Sequence, residues 1–218
     1  LKSAGYAGLA MDSSDPWISF ISNVVFGMML RNHFDQLNTF DAAGKPGTSA
    51  QMTPKAWAKG VLTGAITTKT PEVAESLKLI KQVYNNCATP NWSGITGNSG
   101  AMSNPADFIG QKAAMTIGTS FAGGLLPDVK FGFGSMPFPT ITTETTPRAQ
   151  NVTARFGVSP YGAAFMIPSS AKGDKLIAAV KFLQFASSEG PDEKLVTATA
   201  GIPSVTGAAV PETSKGLV

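Results

Sequence analysis

The 218-residue chain contains one cysteine and one histidine, and these two scarcities remove whole classes of chemistry. With Cys87 alone, no internal disulfide can form. With His33 alone, no two-histidine metal site is available and the HExxH signature cannot occur. Charged residues make up 14%, against about 25% in an average protein. Ser, Thr, Asn, Gly and Pro fill the gap, giving a neutral polar surface of the kind common in secreted proteins. The net charge is only +3, and no run of Lys and Arg interleaves with aromatics, so nucleic acid is not an expected partner. No apolar run reaches the roughly 18 residues of a membrane helix; the nearest, from Ile18 to Leu30, is broken by Ser19, Ser22, Asn23 and Gly27. The opening LKSAGYAGLA lacks the charged start and apolar core of a signal peptide. It begins with Leu, so processing or truncation upstream is expected.

What is present fits a globular α/β protein. Hydrophobic residues make up 43%, and a chain of this size buries about 70% of its unfolded surface without a staple. It is long enough for one large domain or two small ones. Gly5 to Met11 reads as a short buried strand. After it, Asp15 caps and Pro16 opens a helix that is apolar nearly all round to Leu30, and so is expected to be buried. Asp35 to Thr53 is rich in turn formers and reads as a surface excursion. Thr70-Pro71-Glu72 starts a clear helix to about Asn85, with Val73, Leu77, Ile80 and Tyr84 on one face. Asn104-Pro105 starts a short helix ending near Gly110, and Ala113 to Ile117 reads as a buried strand. Lys130 to Met136 alternates like a strand, and Tyr161 to Ile167 reads as another buried one. A helix with Leu176, Val180 and Leu183 on one face follows. No internal repeat is found, and strands alternating with helices indicate an α/β fold.

Catalytic chemistry finds little support. His33 reads as a surface or helix-end residue and Cys87 as a plain thiol with no helix start beside it. There is no phosphate-cradling GxxxxGK and no GxGxxG after a strand. DSSD lacks the glycine and closing glutamate of an EF-hand loop. One near-match stands: Gly118-Thr119-Ser120-Phe121-Ala122 follows a strand, as the GxSxG nucleophile elbow does. Its last glycine is alanine, and the histidine precedes the serine, opposite to the order in that fold. A secreted α/β hydrolase using Ser120 is therefore the weaker alternative.

The segment FIGQKAAMTIG (residues 108–118) resembles the "F–x–x–GK–AAM–x–x–G" region of bacterial extracellular solute-binding proteins serving carbohydrate ABC importers. These are the maltose-binding-like, family 1 solute-binding proteins. LKSAGYAGLAMDSSDPW is similar to the family's strand leading to an acid and an aromatic. VLTGAITTKTPEVAESLKLIKQV, FGFGSMPFP, YGAAFMIPSSAKGDKLIAAVKFLQFASS and GIPSVTGA resemble further family segments in the same order. The resemblance covers nearly all of the chain. It implies a periplasmic-binding-protein-like (class II) two-lobe α/β fold of which an N-terminal lobe and the final helices are missing. Residues 1–136 are expected to form most of the C-terminal lobe, 137–199 a crossover and a segment of the N-terminal lobe, and 200–218 a return. The remainder is expected to have been cleaved while staying associated, or to lie outside this chain.

Sugars present hydroxyls that need fixed polar partners and apolar C–H faces that pack on aromatic rings. In open α/β sheets such a cleft lies at the carboxyl ends of the strands. DPW and TSF both follow predicted strands. For Asp15, capping alone and capping with ligand contact both fit. Trp17 fits core or ligand. The resemblance implies sugar contact for Asp15 and Trp17. It aligns Ser120 and Phe121 with the family's "G–S/P–W" turn, where Phe121 keeps a ring to stack but offers no N–H. It sets Tyr161 and Gly162 on the opposite wall. Trp57 and Trp92 read as packing or surface residues. The function implied is capture of a sugar or small oligosaccharide and delivery to ABC permease subunits, without cofactor, metal or catalysis. The protein would be extracellular or periplasmic, anchored as a lipoprotein in full length, touching membrane only through anchor or permease, and monomeric with its missing lobe. A same-fold receptor for a peptide, polyamine or other solute is a further alternative.

Overall fold

In a computed structural model, the structure describes residues 1–33, 54–96, 100, 102–126, 129–153, 165–199 and 201–217. The chain forms two compact units, Leu1–Ile117 with Phe138–Pro160 and Gly118–Pro137 with Tyr161–Val218.

The first unit is built on two short parallel strands, β1 (Ala7–Ala10) and β2 (Ala113–Thr116), in register Ala7 to Ala113, Leu9 to Met115 and Ala10 to Thr116. A bridge from Leu9 to Ala88 extends the pairing on the other side of β1. Small residues predominate in β1. Helices α1 (Asp15–Met29), α2 (Pro54–Leu62), α3 (Pro71–Cys87) and α4 (Pro105–Ile109) are the α-helices described in this unit. Met11 and the Ile21, Val24, Val25, Met28 and Met29 face of α1 pack with Tyr84 of α3, with Ala88 just past its end, and with Ile141 and Ala149. The sequence predicts α1 buried nearly all round; only this face is, while Ile18 is exposed at 38% and Ser19 is exposed.

The helix starts at Thr70 and Asn104 fall where the sequence places them, with Thr70 and Asn104 as caps and proline following each. At α1 the expectation shifts by one residue. Ser14, in extended backbone, is the cap, and Asp15 is already helical. The reason is local: Asp12 Oδ1 accepts the Ser14 N–H at 2.9 Å, closing an Asx-type turn that ends the extended chain before Asp15.

In the second unit, residues 120–125 and 212–217 form 3-10 turns, and α5 (Asp174–Ala186) and α6 (Glu189–Thr199) are the α-helices described. Gly123 lies so close to Thr213 that a Cβ would meet its side chain at 2.8 Å. Asp192, on α6, is buried and accepts hydrogen bonds from Ser204 N (3.0 Å), Ser204 Oγ (2.9 Å) and Val205 N (3.3 Å), pinning the 201–208 segment to the helix.

Three strand expectations are corrected. β2 forms where expected but is not buried, Ala114 being exposed and Met115 exposed at 47%. Lys130 to Met136 is irregular, because alternation makes a strand only where a neighbour receives its hydrogen bonds. Of the strand expected at Tyr161 to Ile167, residues 161–164 lie outside the described residues. Phe165 to Ile167 form no strand, and Phe165 and Met166 are exposed at 65% and 87%. Helix α5 forms as predicted, yet none of its residues is buried. The excursion expected at Asp35 to Thr53 lies outside the described residues.

Candidate ligand-binding site

Parallel pairing brings β1 and β2 to an end at the same sheet edge, with Ala10 opposite Thr116. Past that edge the chain carries Met11-Asp12-Ser13-Ser14, then the first turn of α1 with Asp15, Pro16 and Trp17. The sequence reading therefore placed the DPW turn correctly, at the carboxyl end of a parallel strand.

Beneath that turn lies a polar network that the sequence reading did not single out. Asp12 is fully buried. Its Oδ1 accepts from Ser14 N, and its Oδ2 accepts from Asn104 N at 2.8 Å and Ser103 Oγ at 3.3 Å. Its own N–H donates to Ser103 Oγ at 3.1 Å. Asn104, in the left-handed region at φ 41°, caps α4 and spreads its amide nitrogen over Met11 O (3.2 Å), Thr89 Oγ1 (3.3 Å) and Asp107 Oδ2 (2.7 Å). Asparagine is among the few non-glycine residues that tolerate this backbone. Thr116 Oγ1 donates to Ser103 O at 2.6 Å, tying the network to β2. From the other side, Ser13 N and Oγ both donate to Ile95 O at 2.9 Å. A buried carboxylate needs such donors, since burial without them is strongly unfavourable. The signal in the sequence was the first acid of DSSD, three residues before the one that was chosen.

Tyr84 faces the same charge. Its hydroxyl is pushed up to about 12, first by burial and then by the negative charge of Asp12. Its oxygen is buried and finds no hydrogen-bond partner among the described residues. Its ring packs against Trp92 with centroids 4.5 Å apart, while Trp57, exposed at 36%, meets Phe26 at 5.8 Å; both fall within the packing or surface roles expected of them.

In the second unit, Ser120 and Phe121 open the 3-10 turn at 120–125, and Ser120 is exposed. Tyr161 and Gly162 lie outside the described residues. His33, the one imidazole, sits beside α3 with Nε2 3.7 Å from Glu72 Oε2, while Arg148 Nη1 is 3.8 Å from Glu72 Oε1. Among the described residues no cluster of three or more His, Cys, Asp and Glu could hold a metal ion.

Polar turns delivered at the carboxyl edge of parallel strands are the arrangement from which open α/β proteins bind ligands. A family model described as bacterial extracellular solute-binding protein matches residues 31–216, most of the chain, and the chain belongs to that family. Such proteins normally bind solutes without transforming them, outside the cell. No curated protein and no solved structure matches the chain. The matched range includes Ser120, Phe121, Tyr161 and Gly162 and begins after Asp15 and Trp17. Among the described residues no helix is long and apolar enough to cross a membrane.

Proposed function

We propose that this solute-binding protein captures a sugar or small oligosaccharide and delivers it, unaltered, to the permease of an ABC importer. The observation that carries the reading is the position of Asp15-Pro16-Trp17. An acid and a flat aromatic form the first turn of α1, at the carboxyl end of a parallel strand, in a chain of solute-binding family. A carboxylate accepts hydroxyl protons in bidentate fashion and an indole packs on the C–H face of a pyranose. Ser120 and Phe121, with Tyr161 and Gly162, supply the remaining contacts in this reading, and two lobes close around the solute by hinge motion.

The chain is in this reading a partial one: residues 1–136 belong to the C-terminal lobe, 137–199 to the crossover and N-terminal lobe, and 200–218 to the return. Helix α5 supports it. Leu176, Ile177 and Val180 lie on one side and Phe182 and Phe185 on another, and all five are exposed. A helix apolar on two sides belongs in an interior. The missing lobe would cover it, and a lipid anchor at the start of that lobe would hold the protein at the membrane.

The test is a thermal-shift screen of the full-length protein against glucose, maltose, maltotriose and sucrose. A solute present at 100 times its Kd stabilises the closed form by about 2.7 kcal/mol. Trp17→Ala and Phe121→Ala should each weaken the binding found by about tenfold or more, with the unfolding midpoint of the unliganded protein unchanged. No shift with any sugar, but a shift with a peptide or polyamine, would replace the carbohydrate reading by that of a different solute.

A further inference from the structure

We infer that Asp12 is a positioning residue for the solute site: it sets the place of the Asp15-Pro16-Trp17 turn without touching the solute. This rests on the reading of that turn as ligand-contacting, and goes beyond it by naming what holds it. Three observations on one short segment carry the inference.

Asp12 is fully buried, so its carboxylate works inward. Its two oxygens serve segments far apart in the chain. Oδ1 takes the N–H of Ser14, the cap residue of α1, and Oδ2 takes the N–H of Asn104, the cap residue of α4. One side chain thus joins the starting points of two helices. Ser14 is held on its other side as well, its carbonyl accepting from Ile18 N at 3.2 Å within the first turn of α1. Any shift in Asp12 therefore moves the backbone of the Asp15-Pro16-Trp17 turn. Ser103 closes the arrangement by accepting from Asp12 N and donating to Asp12 Oδ2. Its own N–H donates to Ile117 O at 2.8 Å, which references the network to the end of β2.

Charge-assisted hydrogen bonds of this kind are about twice as strong as neutral ones, and they fix geometry as well as energy. Asparagine at position 12 keeps the shape and one acceptor oxygen but replaces the other by a donor. It cannot serve Ser14 N and Asn104 N together, so one helix start must give way. A core carboxylate that mattered only for stability would lower the unfolding midpoint and leave the solute site intact once folded.

The experiment uses full-length protein with 5-fluorotryptophan incorporated. Fluorine NMR reports on Trp17 directly, and Trp57, which packs on Phe26 near the other end of α1, serves as internal reference. Asp12→Asn is compared with Ser103→Ala, which removes the hydroxyl that donates to Asp12 Oδ2 and accepts from Asp12 N, and keeps the bonds from Ser14 N and Asn104 N to the carboxylate. The expected result for Asp12→Asn is a displaced or broadened Trp17 resonance with Trp57 unmoved. Affinity for glucose, maltose or maltotriose, whichever binds the parent, should fall by about tenfold or more at a temperature where the variant is folded. Ser103→Ala should show the same changes to a smaller degree, and it decides the matter if Asp12→Asn does not fold. An unmoved Trp17 resonance in the folded variants overturns the inference. So does unchanged affinity. If no sugar binds the parent, the carbohydrate reading fails by itself, and the Trp17 resonance still decides whether Asp12 positions the turn.

Discussion

Tyr84 carries a hydroxyl in an unfavourable place, and this has a consequence that pH exposes. The group is raised from 10.0 to about 12 by burial and by the Asp12 charge. Below pH 10 the phenol is neutral in folded and unfolded chains alike, and its titration does not affect stability. Between about pH 10 and 12 the unfolded chain releases this proton while the folded one keeps it, so stability falls as pH rises. The urea midpoint of the parent should decline more steeply over that window than that of Tyr84→Phe. At neutral pH the same substitution removes a buried hydroxyl with no described partner. It should therefore be neutral or stabilising by up to roughly 1 kcal/mol. A clear loss of stability at pH 7 would mean that the hydroxyl has a partner. The two residues also differ in how visible they were. Spacing assigned Tyr84 and Val73 correctly to the buried face of α3, but Leu77, assigned to the same face, is exposed at 52% and Ser76 is buried in its stead. Asp12 was passed over, because its partners Ser103 and Asn104 stand 91 and 92 positions along the chain. No local pattern announces a contact of that range.

At the scale of elements, helix starts were the most legible feature and isolated strands the least. Thr70-Pro71 and Asn104-Pro105 each specify a cap and a first turn through bonds made within a few residues, so the sequence determines them almost alone. The Lys130 to Met136 alternation is equally regular, but a strand is a statement about two segments, and alternation in one says nothing of the other. Helix α6 shows a further limit. Its Asp192 looks in sequence like a first-turn acid beside a positive helix end. In the fold it accepts from Ser204 and Val205 and ties 201–208 to the helix. Asp192→Ala should leave those donors without their acceptor and destabilise the second unit by about 1–3 kcal/mol. Limited proteolysis should then cut first within 201–208. Cleavage at the parent rate would show that Asp192 only favours the helix end.

At the scale of the whole molecule, the apolar surface of α5 leads to a test of the partial-chain reading. Phe182 and Phe185 are exposed at 56% and 64%, and Phe165 meets Phe182 edge-on with centroids 6.3 Å apart. Exposed aromatics at this density bind the dye ANS and promote association. The isolated 218-residue chain should therefore bind ANS strongly, and the full-length protein should not. Phe182→Ser with Phe185→Ser should lower the dye signal of the isolated chain. A full-length protein that binds ANS as strongly as the isolated chain would remove the case for a covering lobe.

The sequence by itself determined what depends on neighbours in the chain: the capped helix starts at Thr70 and Asn104, the apolar face of α1, and membership of the extracellular solute-binding proteins. Residues a few positions apart meet whatever the rest of the molecule does, so composition and spacing suffice for them. Only the tertiary structure decided which acid lies under the first turn of α1. Folding brings Asp12 to Ser103 and Asn104, and a buried charge keeps its place only where distant donors converge on it.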